Sequence, residues 1–273
     1  MTHRPLRALL CSLVLALQSL LAGGAAARQP PTFFSGDQLT LAQAIYQGVM
    51  ADIAPLAHRL GHEGLNRPGA QDMTLLFFAL QNAMGEKPRP LQIITALVRA
   101  GASPMQEVPD LGSVLGVALR AQSPLYVQAL LDGGVSPDTV RGSSPILFDA
   151  ATQHTAATLA LLLDRGAAID KKNTLGNTAL MQALQGMQLD QVVYLLDRGA
   201  SPHFVNINGV SFAGQLQFQI GRQQGGSLAQ RRMLQVRDRI IGMGVAWPPP
   251  SRDEERQRMR ERGQEPDKLL PVR

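Results

Sequence analysis

The chain is 273 residues long, with 26 Lys and Arg against 21 Asp and Glu, a formal net charge of +5, and 45% hydrophobic but only 4% aromatic residues. So few aromatics exclude the base-stacking platforms of single-stranded nucleic-acid binders, and so mild a charge offers no broad phosphate-binding surface. A lone cysteine, Cys11, excludes a disulfide framework and a cysteine-built metal site.

In chain order, residues 1–27 have the make-up of an export signal. Arg4 and Arg7 form a positive start, Ala8 to Leu21 is an apolar stretch broken only by Ser and Gln, and Ala25, Ala26 and Ala27 supply small residues for cleavage. Those 14 apolar-rich positions are short for a bilayer span, so no stable membrane insertion is expected after cleavage. Cys11 sits inside the apolar run without the small residues a lipid-attachment box needs. Loss of the segment removes two positive charges, taking the net charge from +5 to about +3, and leaves a chain without a thiol. The expected location is the periplasm, where a nucleic-acid partner is not expected. Residues 28–35 read as a linker.

From 36 to 247 the sequence repeats itself. Gly101, Gly134, Gly166 and Gly199 recur at intervals of 33, 32 and 33 residues, in the segments LVRAGASP, LLDGGVSP, LLDRGAAI and LLDRGASP. A glycine at that place ends a helix in a left-handed turn, a conformation that a Cβ makes costly. Upstream stand TLLFFA (Thr74 to Ala79), SVLGVA (Ser113 to Ala118), PILFDA (Pro145 to Ala150) and TALMQA (Thr178 to Ala183). Their Leu and Ala lie three apart, so each pair shares one face of a short helix: Leu76/Ala79, Leu115/Ala118, Leu147/Ala150 and Leu180/Ala183. Weaker units flank the four. LTLAQA (Leu39 to Ala44) precedes Gly61, and Ser211 opens a last unit that ends in IIGMGVAW with Gly244. The spacing predicts an insertion of 12 residues around Gly221 to Ser227, and 6 extra residues near Gly85 to Pro90, where Pro88 and Pro90 predict a loop.

A period of 33 with this motif resembles the ankyrin repeat family, whose first helix opens on T-P-L-H-x-A. The family His is absent: its place is taken by Phe77, Gly116, Phe148 and Met181. The resemblance implies an all-α solenoid of about five to six helix-turn-helix units with finger loops. It also implies that fingers and first helices line up into a concave wall that binds a protein partner. By the family's variable positions the wall includes Gln81, Asn82, Arg120, Arg141, Thr152, Gln153, Lys172, Thr174, Gln185 and Phe218. Phe204 and Val205 are apolar at a finger tip where the other fingers carry Asp170 to Asn173 or Asp138 to Arg141. An exposed aromatic there is an interface anchor, and the competing expectation is that both pack beneath the 12-residue insertion.

Catalytic groupings are missing from the sequence. His58 and His62 stand i, i+4 beside Glu63, but Gly61 interrupts the helix and no third ligand is at hand, so no metal is expected. GVSFAG from Gly209 lacks nucleophile-elbow spacing, and GRQQGG from Gly221 lacks a preceding strand and a P-loop lysine. No cofactor or small-molecule ligand is expected, and the chain reads as a non-enzyme. Residues 248–273, opening on three prolines and carrying seven basic and six acidic residues from Ser251 onward, read as a solvated charged tail, helical or disordered, with a docking arm for a partner or for acidic envelope surfaces as the functional alternative. Exported ankyrin-repeat proteins of this size are similar to the immunity partners of type VI secreted antibacterial lipase effectors. The alternative resemblance is to periplasmic scaffolds that support an antioxidant enzyme such as catalase. A hydrolase with a cryptic site is the third reading, and the lack of a catalytic motif speaks against it.

Overall fold

A computed structural model describes residues 29–151 and 155–271, so the export segment 1–27 and the two candidate face residues Thr152 and Gln153 lie outside the described residues. The chain divides into two compact units after Gly112.

The first unit holds α1 (Gly36–Gln47), α2 (Met50–Asn66), α3 (Leu75–Asn82), α4 (Pro88–Arg99) and the short strand β1 (Glu107–Val108). The hydroxyl of Thr74 accepts from the Phe77 amide and so caps α3, as its place in TLLFFA requires. α1 packs on α3 and α2 on α4, around Leu41, Ile53, Leu76, Phe78 and Leu97, all at most 2% exposed. Two expectations need correction here. The described residues 29–35 are no free linker: a single 3-10 turn (Pro30–Thr32) leads into Phe33 and Phe34, whose rings meet the Phe78 ring at centroid distances of 6.2 and 5.5 Å. Apolar rings placed beside a core are buried whatever the loop character of their neighbours. Pro88 and Pro90 form no loop but the first turn of α4, where a missing N–H costs nothing. Gly61, with φ of 65°, breaks the helical geometry as expected; helix resumes beyond it and runs to Asn66, and the first helix opens at Gly36.

The second unit is the more regular. After β2 (Gly112–Ser113) come α5 (Val114–Arg120) and α6 (Leu125–Asp132), then the hairpin β3 (Val140–Arg141) and β4 (Ser144–Pro145) with Val140 opposite Pro145. α7 (Ile146–Ala150), α8 (Ala156–Asp164), α9 (Ala179–Gln185), α10 (Leu189–Asp197), α11 (Phe212–Gly221) and α12 (Leu228–Gly242) complete the pairs. Ser113, Thr178 and Ser211 each accept from the amide three residues on; α7, opened by Pro145, has no such cap. First helices stack on first helices, α5 on α7, α7 on α9 and α9 on α11. The expected Leu and Ala pairs Leu115/Ala118, Leu147/Ala150 and Leu180/Ala183 are all buried between them, each Leu stabilising by roughly 1.5–3 kcal/mol. On the second helices Leu130, Leu162 and Leu195 are at most 1% exposed; their neighbours Leu131 and Leu196 are buried as well, while Leu163 is half-buried.

The recurring glycine closes every second helix in one way. Gly199 has φ of 90°; its amide donates to Leu196 and the Ala200 amide reaches back to Leu195, the paired bonds of a Schellman turn. The same two bonds recur at Gly134, Gly166 and Gly244. Charges then tie one unit to the next. The Asp at the end of one second helix pairs with the Arg at the end of the following one, in Asp132 with Arg165 at 2.8 Å, Asp164 with Arg198 at 2.8 Å and Asp197 with Arg239 at 2.6 Å. Similarly, the carboxylates of Asp138 and Asp170 accept from the Ala168 and Ser201 amides, each just past the next glycine.

The extra residues near 221–227 do not form a single inserted loop. They lengthen the last helix pair, to ten residues in α11 and fifteen in α12, so the helical register absorbs most of them. The final segment corrects the reading of a solvated tail. α13 (Arg252–Glu261) opens on a capping box between Ser251 and Glu254 and buries Glu255 and Met259. Beyond it the Asp267 amide donates to the Ile207 carbonyl at 2.7 Å, and the Leu270 amide to the Thr174 carbonyl at 2.8 Å. A tail rich in paired charges docks when its backbone finds unpaired carbonyls to satisfy.

Candidate protein-binding face

The fingers of the second unit are built by asparagines. The Asn173 side chain accepts from the Leu175 and Asn177 amides, and the Asn206 side chain from the Asn208 and Val210 amides, so each curls a finger tip through a local turn. Asn206 also donates to the Asn177 side chain at 3.0 Å, locking one finger to the next. Main-chain bonds run alongside: Thr174 N–H to the Ser143 carbonyl at 3.2 Å, Ile207 N–H to the Leu175 carbonyl at 3.0 Å, and then Asp267 N–H to Ile207. The tail thus occupies the place a further finger would take. Gly209 makes this possible, because a Cβ there would stand 2.7 Å from the Arg252 carbonyl oxygen.

The predicted face residues separate into groups. Gln81 and Asn82 end α3 in the first unit, half-buried, with Asn82 donating to the Phe78 carbonyl at 2.8 Å. Arg120, exposed at the end of α5, and Arg141, on β3, both extend over Gly116, with nitrogens 3.5 and 3.8 Å from the position a Cβ would occupy. The glycine at the family His position leaves room for both guanidinium groups. Arg141 is committed to Asp149 at 2.5 Å, whereas Arg120 makes no ion pair among the described residues. Gln185 is exposed at the end of α9, and Phe218 is 56% exposed on α11 with the Arg222 guanidinium 5.4 Å from its ring. Thr174 serves the finger through its backbone, which bonds Ser143 on one side and Leu270 on the other.

Lys172, Phe204 and Val205 come together. The Lys172 ammonium lies 4.2 Å from the centre of the Phe204 ring, and Val205 bridges Ser211 across the finger. All three line a cavity of about 420 Å³ whose far wall is the C-terminal segment. The expectation that Phe204 and Val205 pack beneath the helix-lengthening insertion is therefore replaced: Pro249, Pro250, Glu255, Arg258 and Arg262 stand opposite them. Burial pushes the Lys172 ammonium below its ordinary pKa, with the nearby Asp170 carboxylate acting against the shift. Asp170 is pushed up, again by burial, opposed by its bond from the Ser201 amide and by Lys172. Sequence reasoning missed the tail residues of this cavity. The signal for them was the S-x-x-E box at Ser251 followed by one apolar residue, Met259, four positions beyond Glu255.

Among the described residues there is no group of three His, Asp or Glu placed to hold a metal, and no helix is long and apolar enough to cross a membrane. Stacked helix pairs, glycine-closed second helices and hydrogen-bonded fingers define the ankyrin-repeat class. Residues 175–207 match the ankyrin repeat family model, and the fold of the described residues is that of an ankyrin-repeat solenoid. Its fold is similar to the ankyrin repeat domain of Bcl-3, an IkappaB-family protein, at 26% identity and a TM-score of 0.50, over 66% of this chain and 79% of that one. It is also similar to the human ASB11 ankyrin repeat domain, at 23% identity and 0.48, over 81% and 91%. A third similar structure is a predatory endopeptidase from Bdellovibrio bacteriovorus in complex with an immunity protein, at 20% and 0.46, over 71% and 96%. No curated protein matches the sequence significantly. Ankyrin repeats are in general protein-interaction modules without catalytic activity.

Proposed function

We propose that the protein is an exported, non-catalytic module that grips a folded protein on the concave, finger-bearing side of its repeats, in the bacterial periplasm. In the sharper form of this reading it is an immunity protein that covers the active-site entrance of a secreted antibacterial lipase. One observation carries the binding part. Arg165, Arg198 and Arg239 at the ends of the second helices are each committed to an Asp of the preceding repeat, whereas Arg120 and Lys172 on the finger side make no ion pair among the described residues. Cations not neutralised by an ion pair set the charge complementarity of an interface. The immunity part is supported by the export-signal composition of residues 1–27 and by the resemblance to exported ankyrin-repeat proteins.

The test is binding to, and inhibition of, a lipase effector encoded beside this chain. The wild-type protein should stop lipase turnover at saturation, and Arg120→Glu should weaken the complex at least tenfold with an unchanged melting temperature. Continued turnover in a saturated complex would eliminate the immunity role. Undiminished affinity of Arg120→Glu would eliminate this side as the interface.

A further inference from the structure

The cavity between the last finger and the C-terminal segment is cationic in a way its surroundings do not neutralise. Lys172, Arg258 and Arg262 line it, with His203 at the edge, against a single lining carboxylate, Glu255. Glu255 is buried and lies 3.7 Å from Arg258, so one negative group is shared with one of three cations. Asp170, outside the lining, also acts on Lys172 and accepts from the Ser201 amide at 3.0 Å. Arg262 makes no ion pair among the described residues, and the Lys172 ammonium lies over the face of Phe204 with Asp170 nearby but not in an ion pair. Val205, Val245, Pro249 and Pro250 add apolar walls, alongside the polar Ser211 and Gln264. A concave wall of one predominant charge sign concentrates an incoming anion near the cations. At about 420 Å³ the space falls in the range of roughly 300–1,000 Å³ common to ligand clefts.

We infer that this cavity is a receptor for a carboxylate on an acidic segment of the protein partner, seated between Lys172 and Arg262 with its aliphatic carbons against Phe204 and the prolines. The inference rests on the reading of the protein as a protein-binding module and names the chemistry that module recognises. It also gives the docked tail a role in recognition, since two of the three cations come from α13 and the residue following it. An arginine presents a planar fork to a carboxylate, and a lysine a compact charge; together they favour a carboxylate bridging the two.

The experiment is an amide-resolved NMR titration of the protein with N-acetyl tetraglutamate, with N-acetyl tetraglutamine and inorganic phosphate as parallel probes. Saturable shifts should appear at residues 172, 204 and 262 with tetraglutamate alone, and Lys172→Gln combined with Arg262→Gln should raise its Kd at least tenfold at an unchanged melting temperature. Equal binding of tetraglutamine, phosphate binding as tight as tetraglutamate, or full affinity in the double variant would each overturn the assignment. If the double variant still captures the partner protein as tightly as wild type while Arg120→Glu does not, the cavity assignment falls and the binding module stands. If neither variant matters because the protein binds no protein, the module reading falls instead.

Discussion

The two units reach a packed core by different routes. In the second, a set of interactions recurs along the array: a hydroxyl cap on three of the four first helices, a glycine closing each second helix, an Asp to Arg bridge to the next repeat and, in two fingers, an asparagine turn. In the first, Thr74 caps α3 and Gly101 closes α4 with the same paired bonds, but the spacing around Gly61 and Gly85 is irregular and a local aromatic cluster of Phe33, Phe34 and Phe78 fills the core. Copied interactions spread stability thinly over many sites, as a one-dimensional array should. A cluster concentrates it.

The largest expected effect follows from that concentration. Phe78→Ala removes a ring that is 1% exposed and touches both other aromatics, and should cost about 3–5 kcal/mol. Leu162→Ala, at a fully buried site in the second unit, should cost about 2–5 kcal/mol. Native-state hydrogen exchange sharpens the comparison. Phe78→Ala should lower protection throughout the first unit, including α1, while Leu162→Ala should lower it most in α8 and least in helix pairs further along the array. Uniform loss of protection in both variants would show that the units share one cooperative transition.

The next effect concerns the tail. Gly209→Ala introduces a Cβ at φ of 72°, where an L residue costs roughly 1–2 kcal/mol, and sets it 2.7 Å from the Arg252 carbonyl oxygen. Exchange of the Asp267 and Leu270 amides should accelerate well before that of the Asn177 amide in the neighbouring finger. Equal acceleration at all three would mean the tail and fingers open together.

What the sequence made legible follows the same division. The glycine period announces a backbone requirement, a left-handed residue after each second helix, and such a requirement is written in one residue. The Leu and Ala faces of the first helices were readable for the same local reason. In the pair Leu162 and Leu163 the sequence does not distinguish the core residue from its half-buried neighbour, because that depends on the crossing of the adjacent helix. Phe33 and Phe34 read as linker because their partner, Phe78, lies more than forty residues away. The cavity was half visible: Lys172, Phe204 and Val205 stood out as finger residues, but Arg258 and Arg262 belong to it only through main-chain bonds from Asp267 and Leu270 to the fingers. No composition rule reports a bond across 60 residues.

A smaller effect probes the copied ion pairs. Asp197→Asn breaks the bridge to Arg239, whose side chains are 58% and 34% exposed, and should cost about 0.2–1 kcal/mol at low salt. Screening should shrink even that, so the difference from wild type in a urea melt should fall toward zero near 1 M salt. A cost that survives high salt would show that the bridge positions the helix ends rather than merely pairing charge. The regularity of the second unit would then rest on these pairs as much as on its leucines.

The smallest effect lies at Asp170, where a copied bond has been drawn into the cavity. Asp138 and Asp170 make the same bond to the next repeat, but Asp170 sits beside Lys172 and is pushed above the ordinary carboxylate pKa by burial. With a folded pKa above the unfolded one, the native state holds more protons than the unfolded state in the window between the two values. Stability therefore falls as pH rises through that window and is greatest below it. Asp170→Asn keeps an oxygen to accept the Ser201 amide and removes the titration. Its melting temperature should match wild type in acid and rise slightly above it at neutral pH. A neutral-pH loss would mean that attraction to Lys172 outweighs the cost of burying the charge, and the cation would then be neutralised within the chain rather than held for an incoming carboxylate.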